Sequence, residues 1–232
     1  MRARSEASTC MSKILLVRHG QASFGAADYD NLSPTGHEQS RVLGAALAAR
    51  GITADVVVAG EMKRHAQTAD AVLEGARWGT RVDLDAGWNE FDHVQVLAVH
   101  DQPTTVEGES EKVAFQRWFE EATLRWTSGE HEALYDESFA DFTARVEGAL
   151  TRLVDELPRR ATAVVLTSGG PIAWAAASLL ADGDRSRTDL WLRLNPVSIN
   201  TGTSTVVCGA SGTTLVTFNA ADHLSPDLLT YR

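Results

Sequence analysis

Cysteine is nearly absent from this sequence: Cys10 and Cys208 are its two examples in 232 residues, and Cys10 lies in the N-terminal tail. A structural disulfide is therefore not expected, which suits a reducing compartment. No apolar run approaches the roughly 20 residues that a bilayer-spanning helix needs. The opening Met-Arg-Ala-Arg-Ser-Glu-Ala-Ser-Thr-Cys is basic but lacks the apolar stretch of a secretory signal. The expectation is a cytoplasmic protein with no membrane partner. Basic residues are also in deficit, with 21 Lys and Arg against 31 Asp and Glu, for a formal net charge of −10. Nucleic acid is thereby disfavoured, because phosphate backbones need clustered cations. A small anionic substrate stays compatible, since a few converging arginines reverse the field inside one cleft. No metal-ligand spacing, Gly-x-x-x-x-Gly-Lys loop or dinucleotide fingerprint occurs.

What is present is an ordinary globular composition, 44% hydrophobic and 22% charged, which argues against disorder. The length fits one domain with a small insert. Met11 offers a second start immediately before the first strand, so residues 1–12 read as an upstream extension or a tail. Residues 13–17 (Lys-Ile-Leu-Leu-Val) form a buried-strand run. Ser33-Pro34 predicts a helix start, a capping hydroxyl followed by proline at the first helical position. Val42, Leu43, Ala46 and Leu47 share one face of that helix, which stops at Gly51. Further strands are expected at 55–59, 81–84, 163–167, 203–208 and 213–218, with helices at 62–73 and 172–180. Residues 92–157 show amphipathic helical patterns and no buried strand. The reading is a three-layer α/β/α sandwich with a mostly parallel central sheet, spanning 13–232 as a single domain. Its helical insert at about 92–157 is expected to form a lid over strand ends.

Polar chemistry concentrates where the strands end, which is where open α/β sheets bind ligands. The first strand runs into Arg18-His19-Gly20. The second is followed by Gly60, Glu61, Met62, Lys63 and Arg64, the third by Trp88-Asn89-Glu90, and the late strand by Ser168-Gly169-Gly170-Pro171. Phosphoryl transfer needs cationic donors, an in-line nucleophile and an acid for the leaving oxygen, and these residue types supply all three.

Leu16-Val17-Arg18-His19-Gly20 resembles the opening motif of the histidine phosphatase superfamily, the phosphoglycerate mutase-like family. Leu32-Ser33-Pro34-Thr35-Gly36 with Gln39, the stretch from Lys63 to Ala69, Glu90, and Ser168-Gly169-Gly170 continue the likeness. The resemblance implies a cofactor-independent phosphomonoesterase acting on a small phosphorylated substrate. His19 would be the nucleophile that carries phosphate, and Glu90 the proton donor. Arg18, Arg64, Ser168 and Gly169 would bind phosphate. No metal is implied. Specificity is expected to lie in the insert, at about 92–136.

One departure stands out. The resemblance leads one to expect a second histidine where Ser168 stands, so a charged donor is replaced by a neutral, shorter one. Two other readings follow: a mutase-type phosphotransferase, or a weakly active phosphate-ligand binder. Ser168 has a plainer alternative as a helix cap. Glu137-Ser138 with Phe142 and Arg145, and its rival Gly108-Glu109-Ser110, are adequately explained as helix caps. Trp118 and Trp126 read as core. His37, His65, His93, His100, His131 and His223 are unremarkable unless folding brings one beside His19.

Overall fold

A buried apolar strand runs through the middle of the sheet because Ile14, Leu15, Leu16 and Val17 leave no polar side chain to face water on either side. This strand is β1 (Ser12–Arg18). In the computed structural model, which describes residues 11–23, 30–101 and 108–231, five more strands join it. They are β2 (Val56–Ala59), β3 (Val82–Leu84), β4 (Thr162–Thr167), β5 (Thr203–Gly209) and β6 (Gly212–Ala220). The sheet order is β3-β2-β4-β1-β5-β6. Pairings among β1 to β4 are parallel, while β5 runs antiparallel to both β1 and β6. The sheet is thus mixed but mostly parallel, and helices flank it, as the sequence pattern implies. The suggested tail at 1–12 falls outside the described residues up to residue 10, and Ser12 already belongs to β1.

Helix α1 (Pro34–Ala49) starts as its sequence dictates: Ser33 Oγ accepts from Gly36 N at 3.1 Å, and Pro34 occupies the first turn. It ends before Gly51, whose φ of +71° is one glycine adopts at little cost. Helix α2 (Lys63–Ala76) follows β2. Alternation in the strands decides what these helices cover. Leu15 and Val17 of β1, Val57 and Ala59 of β2, and Val164 and Leu166 of β4 form one cluster with Leu43 and Leu47 of α1 and Ala69 and Val72 of α2. Each fully buried Leu or Val there contributes about 1.5–3 kcal/mol of hydrophobic stabilisation. Helix α6 (Gly169–Leu180) packs against β1 and β6.

The described residues group into two compact units: those of Met1–Glu90 with Val146–Arg232, and Phe91–Arg145. The second holds α3 (His93–Ala98), α4 (Glu111–Ser128) and the start of α5 (Phe139–Glu156), and among its described residues there is no strand. Its core is aromatic. Trp126 stacks on Phe91 at 4.7 Å between ring centroids, with Phe139 and Phe142 edge-on or tilted, and its indole N–H donates to Glu137 O. Both Glu-Ser motifs here are helix starts. Ser110 Oγ accepts from Val113 N, and Ser138 Oγ from Asp141 N. The glutamate before each serine pairs with the arginine eight residues on, Glu109 with Arg117 and Glu137 with Arg145. Helix α7 (Asp184–Leu194) completes the first unit. Among the described residues no helix is long and apolar enough to cross a membrane.

Candidate active site

Register places the site. Arg18 pairs with Thr167, and Ala59 with both Leu166 and Leu84, so β1, β2, β3 and β4 end along one edge of the sheet. The next residues, His19, Gly60, Asp85 and Ser168, emerge there together. His19 N donates to Thr167 O at 2.8 Å, and Gly60 N to Leu166 O at 3.1 Å, extending the ladder one step past each strand. Thr167 Oγ1 donates to Trp88 O, which draws the segment before Glu90 to the same edge.

His19 is 6% exposed and its ring is fixed. Nδ1 lies 2.7 Å from Gly20 O. A carbonyl can only accept, so Nδ1 carries the hydrogen and Nε2 keeps its lone pair. Burial, then the positive charges of Arg18 and Arg64 and the ring of His65, hold the His19 pKa well below the usual imidazole range, against a small opposing effect of the Gly20 carbonyl. The ring is therefore neutral at physiological pH. Gly20 is required by a close approach: a Cβ there would lie 2.3 Å from Gly36 O at the start of α1. Gly20 N donates to Thr68 Oγ1, which itself donates to Arg64 O, tying the His19 turn to α2.

The arginines are held differently. Arg18 Nη1 donates to Tyr231 O at 2.8 Å and to Ser198 O, anchoring the guanidinium to the C-terminal segment. Arg64, in the first turn of α2, has a side chain only 7% exposed and donates from Nη1 to Asp30 Oδ1 at 2.6 Å. Asp30 Oδ2 accepts from Lys63 N at 2.9 Å, so one carboxylate both caps α2 and orients Arg64. Glu90 Oε2 accepts from Gly170 N at 3.1 Å in the first turn of α6, which fixes that carboxylate at a helix N-terminus. Gly169 opens the same helix beside it.

Ser168 is fully buried and occupies the N-cap position of α6, but its hydroxyl makes no capping bond. It lies instead 2.7 Å from Nε2 of His65. His65 is thus the histidine that folding brings beside His19, at 5.8 Å between ring centroids. Its sequence neighbourhood gives no separate signal for this: it precedes Ala66-Gln67-Thr68 on a helix with regular apolar spacing. Asp30, likewise unflagged by the sequence, is visible only once α2 and the segment before α1 are placed together. Gln39, matched to the motif after β1, is structural: Oε1 accepts from Gln21 N, and Nε2 donates to Leu228 O and Thr230 Oγ1.

The model of the histidine phosphatase superfamily (branch 1) matches residues 14–221. The chain belongs to this superfamily. A 2,3-bisphosphoglycerate-dependent phosphoglycerate mutase of Thermobifida fusca (strain YX) is 40% identical over 77 residues, 29% of this chain and 31% of that protein. The chain thus matches about a third of that relative's length. Among solved structures, histidine phosphatase folds superpose along nearly the full chain. Phosphoserine phosphatase from Entamoeba histolytica, in complex with 3-phosphoglyceric acid, gives a TM-score of 0.62 at 20% identity, covering 92% of this chain and 100% of that one. The α-ribazole phosphatase of Shigella flexneri gives 0.63 at 20% identity, with coverages of 90% and 96%. A mycobacterial glucosyl-3-phosphoglycerate phosphatase gives 0.60 at 19% identity, with coverages of 90% and 99%. At these identities the likeness is one of fold.

The buried histidines set a pH signature on folding. Burial lowers the pKa of His19 and of His65, where Arg64 adds to it, and brings His223 to about 4. The unfolded chain takes up protons on these rings near 6.5, whereas the folded protein does so only at lower pH. Stability is therefore full above about pH 6.5 and falls below it, by up to about 1.4 kcal/mol per pH unit for each histidine. Urea unfolding between pH 7.5 and 5 is expected to show this loss, with a shallower slope in His65→Gln. Equal slopes would remove His65 from the set.

Proposed function

We propose that the chain is a phosphomonoesterase that hydrolyses a small phosphate ester through a phosphohistidine on His19. The observation that carries this is the neutral His19 ring with Nδ1–H bonded to Gly20 O, which leaves Nε2 as the nucleophile. In the first step the Nε2 lone pair attacks phosphorus and the ester P–O bond breaks. Glu90 gives its proton to the departing alkoxide oxygen. In the second step water attacks the phosphohistidine, Glu90 takes its proton, and inorganic phosphate leaves with the ring restored. Arg18, Arg64, Ser168 and the N–H of Gly169 hold the phosphoryl oxygens. Arginine and helix N-terminal N–H groups suit that task because the oxygens gather charge in the transition state. The likeness to phosphatases of phosphoserine, α-ribazole phosphate and a glucosylated phosphoglycerate supports a small ester as the substrate class.

The mutase relative favours a second reading, transfer of phosphate between hydroxyls of one molecule. An aryl phosphate assay with and without 2,3-bisphosphoglycerate separates the two. Steady release of phosphate without the bisphosphate, accompanied by labelled His19, is the expected outcome. Turnover that depends on the bisphosphate would make the chain a mutase. Tight phosphate binding without turnover would make it a binder.

A further inference from the structure

His65 is a buried titratable group that the reading above leaves unused. Its side chain is completely excluded from solvent. An imidazole placed there only to fill space would be a poor choice, since burying a polar ring without full hydrogen bonding is costly. Nδ1 has no hydrogen-bond partner among the described residues. The chain nonetheless makes room for the ring: a Cβ on Gly60 would stand 2.3 Å from Nδ1. Among the described residues the ring's single polar contact is the 2.7 Å contact between Nε2 and Ser168 Oγ, in a side chain that follows Arg64 and sits beside His19.

We infer that His65 and Ser168 form one two-residue hydrogen-bond donor, in which His65 orients the Ser168 hydroxyl onto the transferring phosphoryl group. The inference rests on the reading of His19 as phosphoryl acceptor. The direction of the contact follows from where the ring lies. Nδ1 meets no acceptor among the described residues and packs closely against Gly60, where a bare lone pair takes less room than an N–H would. The proposed arrangement puts the hydrogen on Nε2, pointing at Ser168 Oγ. Burial and the neighbouring Arg64 keep the ring in this neutral, single-hydrogen form. With its lone pair engaged by His65, the Ser168 hydroxyl keeps its own hydrogen for another acceptor, and it does not spend its oxygen on capping α6. A phosphoryl oxygen at the sheet edge is the strong acceptor that completes the chain His65 Nε2–H to Ser168 Oγ–H to phosphoryl. Hydrogen bonds in such a series polarise one another, so the pair donates more strongly than an isolated serine. No bond changes hands in it, and both hydrogens stay where they began. Ser168 touches the phosphoryl group, whereas His65 is a positioning residue.

The test is a double-mutant cycle read in single-turnover phosphorylation of His19 by p-nitrophenyl phosphate, and in inhibition by vanadate. Ser168→Ala removes the contacting hydroxyl. His65→Met fills the ring's space without a donor, and His65→Gln restores an amide N–H. Each of the first two is expected to slow phosphorylation by roughly 100-fold, the scale of losing one donor aimed at the transition state, and to weaken vanadate inhibition in parallel. The double variant should be no slower than either single, because both remove the same donor. His65→Gln should recover most of the rate. Losses that multiply in the double variant, or a His65→Met protein that loses only melting temperature while its folded fraction phosphorylates normally, would overturn the inference. Labelling separates this failure from that of the underlying reading. If the wild type forms no phosphohistidine on His19, both fall; if His19 is labelled at the wild-type rate in His65→Met, only the inference does.

Discussion

His19→Ala is expected to abolish phosphate release and, with it, every trace of acid-labile, alkali-stable phosphoenzyme. On the proposed mechanism the two losses coincide, because one atom, Nε2, carries both. His19→Asn is the sharper variant. Its side-chain amide N–H can replace the Nδ1–H bond to Gly20 O, so the turn after β1 keeps its anchor while the nucleophile is gone. Both variants should stay folded, since β1 continues to be held by β4 and β5 and Thr167 O still accepts the backbone N–H of residue 19. A pH profile of the wild type adds a second reading of the same atom. Burial and the flanking guanidinium charges hold the ring neutral well below pH 6.5. The kcat/KM for an aryl phosphate should therefore show no acid limb at an ordinary imidazole pKa. Wild-type hydrolysis in His19→Asn, or phosphate trapped on serine, would replace the mechanism.

The central strands β1 and β4 were readable in the sequence because they are buried on both faces and hence nearly continuous apolar runs: 13–17 against the observed β1, and 163–167 against β4. Ser33-Pro34 fixed the start of α1 through local chemistry alone, a hydroxyl on Gly36 N and a ring already at helical φ. The sheet-edge residues could be gathered for the same reason, since each follows a strand whose end is marked. What stayed hidden depends on contacts across the chain. His65 lies in the first turn of a helix with ordinary spacing, and its meeting with Ser168 joins residues 103 apart in sequence. Asp30 reaches Arg64 and Lys63 across 34 and 33 residues. Arg18, expected at phosphate, also grips the backbone at Ser198 and Tyr231, a contact no local pattern announces. The burial of Ser168 changes what a histidine at that position would do. With His65 Nε2 already 2.7 Å from the hydroxyl, a second imidazole would overfill the space rather than restore a donor. The capping role suggested by its place before Gly169 gives way, since the hydroxyl makes no bond to the helix N–H groups and lies against His65 instead.

Arg64→Lys is expected to lower kcat/KM by roughly 100- to 1000-fold, or about 2.7–4 kcal/mol of transition-state stabilisation, although the charge is kept. The reason is geometric. Arg64 spends Nη1 on Asp30 Oδ1 at 2.6 Å, and Asp30 is itself locked by Lys63 N, so the guanidinium plane is set before any ligand arrives. A planar fork can hold Asp30 with one nitrogen while its others bridge phosphoryl oxygens. Lysine has one ammonium on a flexible stem. Placed beside Asp30, it would satisfy that carboxylate or the phosphate, and its hydrogens are not fixed for both. The ground state should suffer less than the transition state, where charge gathers on the equatorial oxygens, so most of the loss belongs in kcat. Stability should change little, because a cation still faces Asp30, and melting curves would separate a folded, slow enzyme from an unfolded one. Asp30→Asn offers the complementary measurement. It leaves an oxygen for Arg64 but removes the charge that holds the guanidinium in place, and should cost less than Arg64→Lys. Wild-type kinetics in a well-folded Arg64→Lys protein would take Arg64 out of the phosphate site and leave it the role of pairing with Asp30.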